Sequence, residues 1–467
     1  MKTYQDWLDV AEKGENERMA FIKSAINDYK GSQRYTDACY GEDYYNGNNT
    51  TIKAFEKLLF NAQGEAVRDM FSANHKLANR FFYRDVMQVT STLLGNGITW
   101  TNEKGGKALG EDFDRRIIEA SNYSQQGGVA YGFYNNGRVD VFRATEFMPF
   151  VDEEDGAIKA GVRFWQIDSS KPLRATLYEL DGYKEYIWSK EKPAGEVRND
   201  KRAYKIYKLA SEADGEEIYD YQNYPSFPII PLYANDAKQS ELLPIRATID
   251  AYDLVNSGYA NDIDDANIIY WTITNAGGMN DIDLVQFLDK MRKMHAAQLD
   301  DDQIVTPHTV EVPFTGREAL LDRLEKQLYK DAMALNTYDL ASGAVTATQI
   351  EAAYEPLNEK LDAFEAQVTE FITGLLAVAG TEDEPTYSRS IMINRAEEVQ
   401  TVISAAMYLD EQYITEKVLT ILGDKDKVDE VLESIDITNY ERMQGGTPIN
   451  TQGEEPPAEG EQGGAIE

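Results

Sequence analysis

Residues 346–376 read TATQIEAAYEPLNEKLDAFEAQVTEFITGLL and carry the clearest periodic pattern in the chain. Eight apolar residues recur there in steps of four and three: Ile350, Tyr354, Leu357, Leu361, Phe364, Val368, Phe371 and Leu375. This heptad spacing predicts one long helix, opened by a capping box of Thr346 and Gln349. Pro356 should bend that helix sharply, because it lacks an N–H and its ring clashes with the preceding turn. Two interpretations remain open, an ordinary core helix or a kinked helix that packs against neighbouring copies.

A second helix is predicted after Pro244, in ATIDAYDLVNSGYANDIDD, residues 247–265. Its polar residues fall three or four apart and therefore share one face: Asp250, Asp253, Ser257, Asn261 and Asp264. An adjacent stripe is aromatic and aliphatic: Tyr252, Val255, Tyr259 and Ile263. The pattern predicts an amphipathic helix. A helix at the surface of a monomer would explain the same pattern, and this alternative remains open.

A capping box of Thr315 and Glu318 opens a third helix, which has leucines at helical spacing and ends near Asn336. Between these two helices, residues 268–314 combine two β-like runs with a short helical pattern and predict a compact αβ unit.

The first half of the chain changes from helix to strand. Residues 2–30 predict a polar helical segment, residues 31–49 a loop with aromatic anchors, and Asn74 the cap of a helix that ends at Gly95. Residues 129–232 alternate around Asn136-Gly137 and Asp181-Gly182, which predicts antiparallel hairpins. Pro225, Pro228 and Pro231 exclude a regular central strand in the segment YPSFPIIPLY and predict a rigid extended exit from the hairpins. A domain boundary is expected near residue 240.

The last part of the chain contains two further predicted helices, at 395–409 and 415–422. Residues 444–467 are rich in Gly, Pro and Glu and predict disorder.

Composition limits the possible functions. The 467 residues suffice for roughly three domains, and 46 basic against 81 acidic side chains give a net charge of −35. Such a surface repels phosphate backbones, so ordinary non-specific nucleic-acid binding is not expected. Cys39 is the single cysteine, and no signal-peptide or membrane-spanning apolar run is present, which predicts a protein kept in a reducing cytoplasm.

No catalytic constellation stands out in the sequence. The three histidines lack zinc-ligand spacing, and phosphate loops, dinucleotide fingerprints and GxSxG are absent. Acidic runs at 152–155 and 300–302 could bind a hard cation but do not match an EF-hand, and a solvated acidic loop explains them more simply. We therefore expect no enzyme, no metal and no cofactor.

The order of segments resembles the portal proteins of tailed bacteriophages, the head-to-tail connectors of siphovirus type. The early aromatic-Gly segment DACYGEDYYNGNNT (37–50) and the following ANHKLANRFFYRDVMQVTSTLLGNGITW (73–100) are similar to that family. The hairpin region 129–165 and the junction FPIIPLYAN with LLPIRATIDAYDLVNSGYANDIDD, within 227–265, resemble it too, the junction most specifically. SGAVTATQI (342–350) resembles its tunnel loop and wing helix, and residues 397–422 its crown helices.

This resemblance implies an α+β phage portal fold in a ring, with long helices lining a channel. The implied parts are a wing (1–244), stem helix 1 (245–267), a clip (268–314), stem helix 2 (315–337), a tunnel loop (338–345), a kinked wing helix (346–379), a crown (380–440) and a disordered acidic tail (441–467). Expected channel-lining residues are Asp250, Asp253, Asn261, Asp264, Tyr338, Asp339 and Ser342. Expected clip contacts are Trp271, Asp281, Lys290 and His308.

The resemblance also implies function and partners. A portal is a homo-oligomer, expected to be a dodecamer, at one capsid vertex of the virion, assembled in the host cytoplasm. It passes double-stranded DNA without sequence specificity, and it docks the terminase large subunit and then head-completion adaptor and tail proteins. Major capsid and scaffolding proteins are further implied partners, with no membrane and no cofactor. A monomeric cytoplasmic adaptor or scaffold without catalysis is the alternative.

Overall fold

The protein is described here from a computed structural model. It describes residues 2–60, 63–69, 72–211, 217–266, 270–274, 304–308, 314–338, 347–389 and 408–422, with short pieces within 282–287, 399–405 and 427–432. Helices and antiparallel sheets occur together, so the predicted α+β class is confirmed. The chain divides into two compact units, Met1–Ser390 and Ile391–Glu467, and each is described by itself.

Four helices begin the first unit: α1 (Tyr4–Ala11), α2 (Glu15–Lys30), α3 (Gln33–Tyr45) and α4 (Thr50–Ala54). The prediction of a loop at residues 31–49 is wrong over most of that range, because helix α3 occupies residues 33–45. The Ser32 hydroxyl caps α3 by accepting from the Tyr35 N–H at 3.3 Å. Gly41 then lets α3 approach the backbone of Gln126 so closely that a Cβ would lie 1.8 Å from that carbonyl oxygen. Tertiary packing therefore outweighs the turn-like composition of the segment.

A small hairpin and a helical layer follow. Strands β1 (Leu58–Phe60) and β2 (Ala66–Arg68) pair antiparallel. Helix α5 (Phe81–Leu94) begins seven residues after the predicted cap, because Asn79, and not Asn74, accepts from the first helical N–H, that of Phe81, at 2.8 Å. It ends at Gly95 as predicted. Next come β3 (Ile98–Trp100), α6 (Lys104–Leu109) and α7 (Phe113–Gly127).

The predicted hairpin region is confirmed as a run of antiparallel strands. These are β4 (Val129–Tyr134), β5 (Val139–Arg143), β6 (Phe147–Val151), β7 (Ile158–Trp165), β8 (Leu173–Glu179), β9 (Gly182–Trp188), β10 (Glu196–Arg202), β11 (Lys205–Ser211), β12 (Glu217–Gln222) and β13 (Ile229–Tyr233). One sheet has the order β10-β9-β8-β7-β6 and another β13-β4-β5, while β11 pairs with β12. Asn136 and Gly137 both have positive φ, 49° and 83°, as a two-residue hairpin turn requires. Pro231 lies in β13 at a sheet edge, which fits the expectation that it avoids a central strand.

The second half of the first unit carries the long helices. These elements are α8 (Arg246–Ala266), β14 (Tyr270–Thr274), β15 (Ile304–His308), α9 (Phe314–Asp331), α10 (Ala347–Ala379) and β16 (Pro385–Tyr387), which pairs with β3. Helix α9 ends before the predicted Asn336, and Met333 just beyond it has a φ of 52°. In the second unit, α11 (Glu411–Leu422) includes the predicted helix 415–422. Most of the helix predicted at 395–409 and all of the acidic tail lie outside the described residues.

The heptad seam of α10 is buried inside its own chain. Seven of its eight residues, from Tyr354 to Leu375, belong to the main core, where α10 packs on β13, β4, α5 and α6. Phe371 fills the space over Gly132, whose Cβ, if present, would lie 2.5 Å from the Phe371 ring. The structure therefore supports the core-helix interpretation of the seam over packing against neighbouring copies. Helix α10 continues through Pro356.

Two further cores complete the first unit. One lies between α1, α2 and the five-stranded sheet, around Trp7, Ile26, Phe150 and Tyr186. The other joins α5, α8 and α9 through Phe82, Ile249 and Leu328. This third core fixes one end of the α8–α9 pair.

Candidate functional site

Helices α8 and α9 form an antiparallel pair. At one end, Ile249 and Leu328 share the third core. At the other, the Tyr259 ring meets that of Phe314 edge-on at 5.9 Å, and Arg317 forms an ion pair with Asp262. The stripe predicted to be aromatic and aliphatic thus contributes to the face of α8 that meets α9.

The segment between these helices contains a β-hairpin. Strand β14 pairs with β15 over five positions, from Tyr270 with His308 to Thr274 with Ile304. The predicted β-like runs are therefore real strands. Trp271 lies opposite Pro307 in this ladder, so Trp271 and His308 belong to one hairpin. Asp281 and Lys290 lie outside the described residues.

The polar face of α8 is covered by an extended segment of the same chain, residues 75–79, which we call the strap. The His75 N–H donates to Asn261 Oδ1 at 2.6 Å, the Leu77 N–H to Ser257 Oγ at 2.9 Å, and the Asn79 N–H to Asp253 Oδ1 at 2.9 Å. The His75 Nε2 also lies 2.5 Å from Asp264 Oδ2. Side-chain oxygens on one face of α8 therefore accept hydrogen bonds from every second backbone N–H of the strap.

This match follows from two backbone periods. Four residues of an α-helix rise about 6 Å, and two residues of extended chain span about 6.6 Å. Acceptors at 253, 257 and 261 consequently keep step with donors at 79, 77 and 75. Polar residues spaced four apart on α8 can therefore bind an extended chain segment along one face of the helix.

The N-terminal end of the same face is held by α3 and α4. Tyr44 Oη donates to Asp250 at 2.5 Å, and Thr51 Oγ1 donates to it at 3.1 Å. The Arg246 guanidinium lies 3.6 Å from the Tyr40 ring centroid, a cation–π contact. The start of α8 is thereby fixed to the N-terminal helices.

Asp253 is enclosed at the centre of this face and is 0% exposed. It accepts from the side chains of Asn49 and Asn79, both at 2.8 Å, besides the Asn79 N–H. Burial raises the pKa of Asp253, and those hydrogen bonds oppose the shift only in part. An enclosed carboxylate does not fit the channel-lining role expected for Asp253.

The other expected channel-lining residues are placed unevenly. Asp250 and Asn261 are half-buried under the bonds just described, whereas the side chains of Asp264 and Tyr338 are 52% and 68% exposed. Asp339 and Ser342 lie outside the described residues. A position at the channel therefore stays a prediction for Asp250, Asn261, Asp264, Tyr338, Asp339 and Ser342.

A buried ionic network joins the helix pair to the body of the unit. Lys360 of α10 lies 3.2 Å from Asp85 and 3.3 Å from Glu241, and it donates to the carbonyl of Ala332 at 3.0 Å, just after α9. Burial alone would lower the pKa of Lys360. The two nearby carboxylates outweigh this effect, so the pKa of Lys360 is raised. Sequence reasoning did not identify Lys360. The feature that could have identified it is a single lysine next to Leu361 of the heptad seam.

The described residues contain no group of His, Cys, Asp or Glu side chains arranged to hold a metal ion. Among the described helices, none combines the length and apolar character needed to cross a membrane. The described site therefore consists of the antiparallel α8–α9 pair, the paired strands β14 and β15 between these helices, and the polar face of α8 covered by the strap.

Comparison with known proteins identifies the family. The family described as "Phage portal protein, SPP1 Gp6-like" matches residues 26–439, which include every element from α3 to α11. The chain belongs to this portal family.

Two curated relatives of this portal chain are named "Portal protein". One, from Clostridium phage phiCD119, is 27% identical over 196 residues, which cover 39% of this chain and 43% of the relative. The other, from Bacillus phage SPP1, is 24% identical over 356 residues, which cover 70% of this chain and 66% of the relative. The portal chain thus spans less than two thirds of the length of either relative.

Solved structures similar to the portal chain come from gene transfer agent particles. A chain from "Virion of native gene transfer agent (GTA) particle" has a TM-score of 0.43 at 13% identity, covering 73% of this chain and 89% of that one. A chain from "Neck of native GTA particle computed with C12 symmetry" has a TM-score of 0.42, with the same identity and coverage.

Proposed function

We propose that this chain is the subunit of a ring-shaped portal that forms a channel for phage DNA at one vertex of the capsid. The observation that carries the proposal is the family match over residues 26–439, which spans the α8–α9 pair, its hairpin and α10. In the proposed ring, about twelve α8–α9 pairs stand around the axis, each fixed to its own body by the third core and by Lys360.

The channel passes double-stranded DNA in both directions, during packaging and during ejection, without reading its sequence. A net charge of −35 supports this role, because phosphate backbones slide past an acidic wall without the ion pairing that lysines would offer. Asp264 and Tyr338, the expected lining residues with exposed side chains, are the described residues proposed to face the DNA.

The hairpin β14–β15 and the residues around it form the proposed docking end. The terminase large subunit binds there during packaging and supplies ATP hydrolysis, and head-completion adaptor and tail proteins replace it afterwards. Trp271 and His308 lie in that hairpin. Capsid and scaffolding proteins surround the ring at the vertex, and assembly takes place in the host cytoplasm. The portal chain itself is proposed to catalyse no reaction.

Light scattering with negative-stain imaging of the purified full chain tests the proposal. We expect a particle of about a dozen 52.7 kDa subunits with a central hole. A protein that stays a monomer at high concentration, both alone and with capsid and scaffolding proteins, contradicts the proposal and favours an adaptor.

A further inference from the structure

Helix α9 ends earlier than its own sequence predicts. The helical pattern runs to Asn336, whereas α9 stops at Asp331. Four strong helix formers follow Asp331: Ala332, Met333, Ala334 and Leu335. We call residues 332–336 the junction. Local helix preference and the observed structure therefore conflict over a little more than one helical turn.

The backbone of the junction closes α9 with a Schellman motif. The Ala334 N–H donates to the carbonyl of Tyr329 at 2.9 Å, and the Met333 N–H donates to the carbonyl of Lys330 at 3.2 Å. This motif places Met333 in the left-handed region, with a φ of 52°. Glycine is the usual residue at that position, because a residue with a Cβ is strained there. The junction therefore holds strain that a continuous helix would not have.

Two side chains from other helices hold the junction in this form. Gln88 of α5 accepts from the Leu335 N–H at 2.9 Å through Oε1 and donates to the Leu335 carbonyl at 3.1 Å through Nε2. Lys360 of α10 donates to the Ala332 carbonyl at 3.0 Å. In a continued helix that carbonyl would accept from the Asn336 N–H instead. Gln88 and Lys360 thus occupy backbone groups that a longer helix would use.

Burial of the Leu335 side chain adds to this hold. Leu335 is 6% exposed and belongs to the main core. Its burial and the bonds from Gln88 and Lys360 favour the terminated helix, whereas the strain at Met333 and the helix preference of the junction favour continuation. An element with such opposing preferences can have two discrete arrangements of similar free energy.

We propose, independently of the function above, that the junction is a conformational switch with two states. In one state α9 stops at Asp331, as observed, and in the other α9 continues through Leu335. Continuation over residues 332–335 lengthens the helix by about 6 Å, at about 1.5 Å per residue, and withdraws Leu335 from the core. Because Gln88 lies in α5 and Lys360 in α10, a shift of these two helices relative to each other releases the junction.

Methyl NMR of the full chain, labelled with 13C at the alanine methyl groups, tests the switch. The shift of the Ala334 methyl reports whether its backbone is helical, and the Ala334→Ser chain identifies the signal. Gln88→Leu removes both hydrogen bonds to Leu335, and Leu335→Ala removes the buried side chain but keeps a strong helix former. In each variant we expect the population ratio of helical to non-helical Ala334 to rise about tenfold or more.

Met333→Gly acts in the opposite direction, because glycine adopts a positive φ without strain and disfavours a helix. Added to Gln88→Leu, it should lower the same ratio about tenfold. The matched control is Ser91→Ala, at an exposed residue of α5 three positions after Gln88, and it should leave the ratio unchanged.

The outcomes separate a switch from a simple loss of contacts. A helical Ala334 signal that grows in Gln88→Leu and in Leu335→Ala, and shrinks when Met333→Gly is added, supports the proposal. An Ala334 signal that keeps its wild-type position in both variants, or that moves to the position of a disordered chain, overturns it, because the released junction then does not continue α9.

Discussion

At the scale of single residues, the clearest feature is a lysine enclosed by two carboxylates. Lys360 is 11% exposed and its partners Asp85 and Glu241 are 0% and 17% exposed, all in side-chain terms. Removing one member of a buried ion pair leaves the other charges without compensation in a poorly solvated site. Since Lys360 also binds the Ala332 carbonyl, the network fixes the end of α9.

We expect Lys360→Met to lower the free energy of unfolding by about 3–5 kcal/mol. The exposed Lys326 of α9 gives a matched control, and Lys326→Met should change it by about 0.5 kcal/mol or less. Urea unfolding of the unassembled chain measures both. Equal losses for the two variants would mean that the network contributes nothing specific.

Asp253 gives a second prediction at this scale. Asp253→Ala removes the acceptor of the Asn79 N–H, while Ser257→Ala removes that of the Leu77 N–H. We expect hydrogen exchange in peptides covering 73–80 to accelerate about tenfold or more in Asp253→Ala, because each lost bond frees an amide in a segment held mainly by α8. Ser257→Ala should show a smaller effect, since Asp253 also binds Asn49 and the Asn79 side chain. Unchanged exchange in both variants would show that the strap is held by other contacts.

At the scale of elements, local periodicity predicted elements well and their partners poorly. The alternation at 129–232, the seam of α10 and the polar face of α8 were all visible in the sequence. What the polar face binds was not, because the strap lies some 180 residues earlier in the chain. The structure shows Asp250 and Asp253 bonded to donors of the chain itself, whereas the side chain of Asp264 stays half exposed beside His75.

At helix α3 and at the beginning of α5, the local sequence predicted the wrong element or the wrong start. Gly, Asn and Tyr in residues 31–49 suggested a loop, yet Gly41 is required for close contact with Gln126 and Ser32 supplies a cap. At α5, the sequence predicted a cap at Asn74, whereas in the fold the helix begins at Phe81, whose N–H donates to Asn79. Such choices depend on contacts that a single sequence does not contain.

The seam of α10 yields a prediction that separates its two interpretations. Phe371→Ala should destabilise the unassembled chain by about 3–5 kcal/mol, because the ring fills a core position over Gly132. Thr373→Ala, an exposed change in the same helix, is the control. A Phe371→Ala chain that is stable as a monomer but fails to assemble would place the seam between copies.

At the scale of the whole molecule, charge and shape combine. The chain carries a net charge of −35, so the copies of the proposed ring repel one another over most of their surfaces. The same acidity keeps DNA from binding to the proposed channel wall.

Asp264→Lys tests the channel wall directly. We expect slower packaging and ejection of DNA, with a delay that shrinks as salt increases, since a ring of added lysines binds phosphates by ion pairing. The charge-neutral change Asp264→Asn is the control, because it keeps the size of the side chain while adding no positive charge. Unchanged DNA transfer in Asp264→Lys would remove Asp264 from the channel.

The most direct test of the whole account is an electron cryomicroscopy reconstruction of the assembled full-length chain. The account predicts a closed ring of about twelve subunits, with α8–α9 pairs around an open axial channel and the β14–β15 hairpins at one end. A compact particle without an axial channel, or a ring whose channel is formed by elements other than α8 and α9, would contradict it.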